Sequence, residues 1–397
     1  MRVLMIGQLP KEAGGNYTTG AAKVVFELSK QKVDGIELFT YATNAQISKV
    51  KPYCKYPNQY IGYSTSIWKL LKDMLFHPLE TFNEWKHFLR VDHENPLRYA
   101  FYKINIEKAI VMTHPDLIHV HSIGNVSVTR YAMGVSNAPL LLTCHGVFYR
   151  GDTNDIIGQD RYMGNLPMCD YYTGLTEEAR IELSDILGIA TDKYTIIPNG
   201  VDTSKFYFSE KWRKKVRMEM DIPEDTIVLI TVASLQERKG QLAFIKILEE
   251  LDVNYQYWMV GTGPDKSAIE HYVNEHYLAD KVKLLGYHES DELYRYYSAA
   301  DIYAHTSWKE GQALSEIEAN ATGLRIIVNK RIVGTIANLK AGDYYILDFS
   351  DFERKNLLEW IRKYDINRHS NTTLDWLNVA KKYGSLYQKL LSNIKTN

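Results

Sequence analysis

Cysteine is scarce in this chain of 397 residues, which has only Cys54, Cys144 and Cys169. The number is odd, the three lie far apart, and no Cys-x-x-Cys occurs. That argues against a disulfide framework or a cysteine zinc site, and predicts buried, reduced thiols in a cytoplasmic protein. Long apolar runs are missing too. None reaches the roughly 18–20 residues that a membrane-spanning helix needs. Residues 1–10 hold a short apolar run that is too brief for a signal-peptide core and reads as a first strand. An excess of either charge is also missing, with a net charge of −1, so no global field favours nucleic acid. Repeats and low-complexity tracts are absent as well.

What remains is ordinary globular composition, 45% hydrophobic and 24% charged. The length suits two domains. The chain alternates strand and helix. "RVLMIG", "GIELFTYAT", "DLIHVHS", "APLLLTCHG", "YYTGL" and "KYTII" read as strands, with "GAAKVVFELSKQ" a helix between the first two. Thr176 is a plausible cap for a helix that closes at Gly188. A second series follows: "DTIVLITVASL", "YQYWMVGTG", "VKLLGY", "DIYAHTS" and "LRIIVNK", with helices between. Ser290 is the candidate cap for "DELYRYYSAA". Alternation of this kind predicts an α/β fold, with two Rossmann-like domains whose parallel sheets face each other across a cleft. The expected domains are 1–198 and 199–375, joined near 199–212, with 376–397 a helix returning to the N-terminal domain. Such sheets bind ligands outside the carboxyl ends of their strands.

Residues 51–113 break the rhythm. Trp68, Leu71, Leu75 and Phe76 share a helical face beside Lys69 and Lys72. Two readings stand: helices packed on the N-terminal sheet, or a basic–aromatic surface in 66–105 that makes peripheral contact with a membrane carrying a lipid-linked acceptor.

The stretch "KEGQALSEIEANATG", 309–323, sets Glu310, Glu316 and Glu318 in a loop-to-helix transition. Ser315 and Glu318 fit a capping box, which gives Glu318 a purely structural reading. Alternatively, carboxylates turned toward a cleft accept paired hydroxyl donors, as on a hexose or ribose. The helix start nearby favours phosphate. In the N-terminal half, alternation puts His119 and His121 on one strand face, and His145 ends the next strand. Each is either structural or part of a site. Gly14–Gly15 and Gly20 compete as the glycines beside the first helix. No Cys, His and Asp set has metal-site spacing. A dinucleotide fingerprint is missing, since Gly261-x-Gly263 is followed by Lys266 where a third glycine is needed.

These segments resemble the retaining glycosyltransferases of family 4, which have the GT-B fold. Glu310, Gly311, Glu318, Ala319, Ala321 and Gly323 match the family's E-x7-E signature, while Gln312 and Ala313 replace its Phe-Gly. "IIPNGVDTSKF", "VASLQERKGQ", "MVGTGPD" and the final "WLNVAKKYGSLYQKLL" fit as well. The resemblance implies that Glu310 contacts the donor sugar, Glu318 the ribose, and Lys239 the diphosphate, with His121 near the reaction centre. Ser234 stands where the family carries Arg, and Arg238 is the candidate substitute. The implied catalytic set is His121, Lys239 and Glu310. Donor binding falls on Gly20, Arg238, Lys239, Gly261, Glu310, Gly311, Gln312, Ala313, Leu314 and Glu318, and the acceptor side on His145, Gly14 and Gly15. No metal or bound cofactor is expected. A nucleotide sugar, UDP-linked, serves as co-substrate, and the partner is a glycan, glycolipid or polymer acceptor, with no nucleic acid. The expected location is cytoplasmic or peripheral at the inner membrane face. The alternatives are a non-catalytic homologue that binds sugar nucleotide or stabilises a partner transferase, and a sugar-nucleotide 2-epimerase.

Overall fold

The computed structural model describes residues 1–16, 19–46, 60–63, 67–145, 164–187, 190–336, 343–350, 354–363, 368 and 370–396. Cys54, Gly188 and residue 66 lie outside them. The chain divides into two compact units, Met1–Pro198 with Trp376–Asn397, and Asn199–Asp375.

The first unit carries β1 (Arg2–Gly7), β2 (Glu37–Gln46), β3 (Tyr60–Tyr63), β4 (Leu117–His121), β5 (Leu140–Cys144), β6 (Tyr171–Gly174) and β7 (Tyr194–Ile196). They form one sheet in the order β3-β2-β1-β4-β5-β6-β7, with parallel pairing throughout. Val3 to Ile6 are buried on both faces, which explains the unbroken apolar run. The helix Gly20–Ser29 starts at Thr19, whose hydroxyl accepts from Ala22 N at 3.1 Å. Asn95 caps the helix Pro96–Thr113, with proline in its first turn. Thr176 accepts from Ala179 N at 3.2 Å and so caps the helix Glu177–Leu187. The C-terminal helix Trp376–Thr396 belongs to this unit and packs on Gly20–Ser29. Cys144 and Cys169 are buried free thiols, and burial pushes Cys144 up to about 12.

The second unit carries β8 (Ile227–Val232), β9 (Tyr255–Val260), β10 (Val282–Gly286), β11 (Ile302–His305), β12 (Arg325–Asn329) and β13 (Tyr344–Leu347). Their order is β10-β9-β8-β11-β12-β13, again parallel. In each sheet the first strand is central. The chain winds outward on one side, then returns to the other side of that strand. The crevices between β1 and β4 and between β8 and β11 are therefore the switch points where parallel sheets take ligands.

Three details depart from expectation. Strands β3 and β13 are additional. Ser290 is not the cap of its helix. A turn closed by Glu292 N on Glu289 O at 3.0 Å comes first, and the helix runs Leu293–Ala299 after Glu292, without a side-chain cap. The joint at 199–212 also already holds the start of a helix, Glu210–Glu219.

That helix carries two buried arginines toward Asp301, which is itself buried at the start of β11. Arg213 Nη1 lies 2.7 Å from Asp301 Oδ1, and Arg217 Nη1 lies 3.2 Å from Oδ2. Val228 N donates to the same carboxylate at 2.7 Å, which ties β8 to β11. Arg368 Nη2, also buried, lies 3.8 Å from Oδ1, so removing the anion strands three desolvated cations. Asp301→Ala should therefore lower unfolding free energy by about 3–5 kcal/mol in urea titration. A loss below ~1 kcal/mol would show that the arginines are balanced by backbone carbonyls alone.

Candidate functional site

In the second unit, the loop after β8 ends in a tight turn, Glu237–Lys239, closed by Gly240 at φ 70°. A Cβ on Gly240 would lie 2.3 Å from Thr306 O, so only glycine lets the turn press against the loop after β11. The two loops are stitched together. Thr306 Oγ1 donates to Lys239 O at 2.7 Å, and Trp308 N to Arg238 O at 2.8 Å. Gly261, at φ 144°, has Ala233 O in the place of a side chain, so the loop after β9 is pressed against the loop after β8.

This stitching brings together two side chains 71 positions apart in sequence. Lys239 Nζ forms an ion pair with Glu310 Oε1, and both side chains are largely buried. Ser307 Oγ donates to the same oxygen at 2.8 Å. Arg238 Nη1 stands 3.8 Å away and His305 Nε2 4.0 Å away. Burial pushes the Glu310 carboxyl up, but the attraction of His305 and Lys239 outweighs it and holds Glu310 well below the usual carboxylate range. Burial, aided by Arg238, pulls the Lys239 ammonium down against the pull of Glu310. A cation and a carboxylate thus share one desolvated spot at the β8–β11 switch point.

The helix Leu314–Ala321 begins just beyond, with Ala313 at its cap position. Its cap makes no side-chain hydrogen bond, so the Ser315–Glu318 capping box is not formed. Ser315 Oγ is instead 2.8 Å from the Tyr303 hydroxyl, and the Tyr297 hydroxyl donates to Glu318 Oε2 at 3.2 Å. Gln312 turns inward: its Oε1 accepts from Asn199 N at 2.7 Å. Ser234 offers its carbonyl to Gln241 Nε2 at 2.9 Å.

In the first unit, His121 ends β4, and the next residue, Ser122, has φ 84°, a left-handed backbone that a non-glycine residue rarely adopts. His121 Nδ1 lies 2.9 Å from His145 Nε2, so these two meet. His121 is buried, and its Nε2 has no partner among the described residues. Gly14 (φ 97°) closes the turn Lys11–Ala13, and Gly15 lies against Leu9 O, leaving no room for a side chain. Asn44 clamps Leu9 through two 2.8 Å hydrogen bonds. Gly20, by contrast, is the first helical residue and has open space around it.

Two buried groups at these sites had been given no role. His119 is fixed at both nitrogens, by Tyr387 OH at 2.7 Å and Thr143 Oγ1 at 2.6 Å, and its ring lies 4.3 Å from that of His121. Its strand-face alternation with His121 was the only signal. Glu316 is 1% exposed, and neither carboxylate oxygen has a hydrogen-bond partner among the described residues. Burial pushes it up to about 8. Burial also lowers the three histidines, His119 to about 3 and His145 to about 4, with His121 well below its ordinary value.

Residues 213–351 match the family model described as "Glycosyl transferases group 1", and residues 75–205 that described as "Glycosyltransferase Family 4". Together they cover more than half of the chain. An alpha-monoglucosyldiacylglycerol synthase from Acholeplasma laidlawii is 32% identical over 143 residues, 34% of this chain and 36% of that one. The chain thus spans about a third of the length of that curated relative. A sucrose-phosphate synthase from Thermosynechococcus elongatus superposes with a TM-score of 0.70 at 16% identity over 99% of each chain. Anabaena Alr3699/HepE in complex with UDP gives 0.68 at 16% over 100% of each. At such identities the structural likeness establishes the fold, which is GT-B.

The two titrating groups oppose each other. Folded Glu316 keeps a proton that the unfolded chain releases from about pH 4.5, so its stabilising contribution is lost as pH rises toward about 8. The histidines stay neutral when folded, so their contribution is lost as pH falls below about 6.5. Glu316→Gln should remove an alkaline limb of up to about 1.4 kcal/mol per pH unit, and His145→Gln should make the acid limb shallower. Urea midpoints from pH 4 to 9 check both, and parallel curves for wild type and variants would refute the assignment.

Proposed function

The chain belongs to the group 1 glycosyltransferases of family 4, with the GT-B fold, and from that premise we propose that it is a retaining hexosyltransferase. In this reading it moves a hexose from a UDP-sugar to a hydroxyl of a cell-surface glycan, glycolipid or polymer precursor. The observation that carries the proposal is the Lys239–Glu310 pair at the β8–β11 switch point. A nucleotide sugar presents an anionic diphosphate beside a hydroxyl-rich ring. A buried ammonium next to a buried carboxylate complements both halves of that junction.

In the proposed mechanism the leaving diphosphate gains negative charge as the glycosidic bond breaks. Lys239 stabilises it, with Arg238 as the second cation and the start of the helix Leu314–Ala321 contributing its free N–H groups. Glu310, kept ionised, accepts hydroxyls of the sugar. Glu318, oriented by Tyr297, accepts from the ribose. The departing phosphate oxygen takes the proton of the incoming hydroxyl on the same face, which gives retention and an α-linkage without an enzyme nucleophile. His121 has an unpartnered Nε2 available to a hydroxyl on the acceptor side. The UDP named with the Anabaena neighbour and the glycolipid named for the Acholeplasma relative both support this substrate class.

Ser234 in place of the family's Arg favours one second reading, a homologue that binds the nucleotide without turnover. A panel of UDP- and GDP-sugars, with release of nucleoside diphosphate as the signal, separates the two. Binding without release would favour the second.

Lys239→Ala and Glu310→Ala should each cut turnover by about 10²-fold or more, with circular dichroism confirming the fold. The double variant should fall little further than either single, well short of their combined loss, because the groups act as a unit. Wild-type turnover in both singles would remove the site assignment. Glu318→Ala should act mainly on donor affinity, weakening it about ten-fold in calorimetric titration of UDP.

A further inference from the structure

Close to half of the exposed large apolar side chains among the described residues fall between positions 67 and 97. They follow a pattern. On the helix Ile67–Phe76, Trp68, Leu71, Leu75 and Phe76 recur at helical spacing and face outward, Trp68 at 75% exposure. On the next helix, Pro78–Arg90, Leu79, Phe82 and Leu89 do the same, Leu79 at 79%. Lys72, Lys86 and Arg90 are exposed on these helices, against a single exposed acid, Glu80. Scattered exposed apolar residues are ordinary, but two successive helices with apolar outer stripes flanked by cations are not.

The inner faces are firmly held. Leu70 packs with Ala100 and Ile104 of the helix Pro96–Thr113. Lys69 pairs with Glu107, and Lys103 with Glu84 at 2.5 Å. The platform is also bolted to the segment that follows His121. Tyr99 OH donates to Gly124 O at 3.1 Å. Further on, His87 Nε2 lies 2.8 Å from Asn165 Oδ1, Asn165 donates to Asp92, and Ser127 Oγ donates to Asp92 at 2.6 Å.

We propose that the helices Ile67–Phe76 and Pro78–Arg90 form a platform that lies flat on an anionic lipid bilayer. The apolar stripes enter the headgroup boundary, and the cations meet lipid phosphates. Among the described residues no helix is long and apolar enough to cross a membrane, so the contact is in-plane. The mixture of Trp, Leu and Phe with Lys and Arg fits a charged apolar boundary better than a second copy of this cationic face, which would repel itself. The bolts give the contact a consequence that rests on the proposed transferase reading: lipid binding is joined through rigid helices to the loop after His121, and the acceptor is a lipid.

Co-sedimentation of the full chain with vesicles tests the surface. With about 30% phosphatidylglycerol in phosphatidylcholine, the wild type should pellet, and raising salt from about 0.1 to about 0.5 M should release much of it. The exposed double variant Trp68→Ser/Leu75→Ser should bind at least about ten-fold less while keeping its circular dichroism. UDP-sugar hydrolysis measured without vesicles should be unchanged in that variant, so a failed transferase reading and a failed surface give different results. Wild type that stays in solution with these vesicles overturns the proposal, as does a double variant that binds equally. A concentration-dependent dimer abolished by the double variant, with no vesicle binding, overturns it in favour of a second copy.

Discussion

The parallel winding of the second sheet imposes one constraint from which its chemistry follows. The chain leaves β8 in one direction and comes back to pair β11 on its other side. The loops leaving those two strands must therefore lie side by side at their carboxyl ends. Opposite charges carried there, Lys239 and Glu310, are largely buried and pair. The burial that would disfavour either charge alone is offset by the other, so the two ionised forms exist only as a unit. A diphosphate entering that spot would, in the proposed reading, compete with Glu310 for Lys239 and free the carboxylate for hydroxyls. In the proposed reading, the unliganded pair is thus a stand-in for the substrate's own charge and hydroxyl pattern.

The same economy of water explains the opposed titrations. In the first unit three imidazoles lie together without a carboxylate partner among the described residues; burial favours their neutral forms, and donor and acceptor roles are set by neighbours such as Tyr387 and Thr143. In the second unit Glu316 is buried with no hydrogen-bond partner among the described residues, and burial favours its protonated form. Buried polar groups lacking the charge partner that Glu310 has usually cost stability, and they are kept where a ligand or a fixed hydrogen-bond geometry uses them. Glu316, two positions from Glu318 on the same short helix, is such a group.

Much of this was legible in the sequence, for identifiable reasons. Strands buried on both faces read as apolar runs, Glu310 stood in a carboxylate-rich stretch that raises a site reading by itself, and Lys239 was picked out by the family resemblance. What escaped depended on tertiary packing. β3 and β13 are short edge strands of four residues each, with too little pattern to separate from loops. The helix Glu210–Glu219 is rich in Lys and Arg and looks solvated until Asp301 is placed against it. Ser290 had the right chemistry for a cap, but an extra turn intervened. The burial of Glu316 was illegible because a carboxylate two residues before a site carboxylate points to a different helix face, which by pattern alone is solvent. The face of 67–90 was legible only as two alternatives: the structure packs its inner side on the helix Pro96–Thr113 and leaves its outer apolar side exposed, and membrane contact is a proposal.

The departures from the family signature then acquire a common physical sense. Where the family carries Phe-Gly, this chain carries Gln312-Ala313. The Gln312 amide holds Asn199 by its backbone N–H, and its own carbonyl accepts from Asn199 Nδ2 at 3.4 Å. These hydrogen bonds brace the loop between Glu310 and the helix start by polar contact. Where the family carries Arg, Ser234 accepts from Gln241 Nε2 through its backbone carbonyl, while Arg238, four residues on, stands beside Glu310. In the proposed reading, Arg238 supplies the positive charge that Ser234 cannot, and the Gln312–Asn199 hydrogen bonds supply rigidity. A degenerate site would lose these compensations along with the motif. Their presence around an intact, desolvated Lys239–Glu310 pair is what supports the proposed transferase reading over the non-catalytic one.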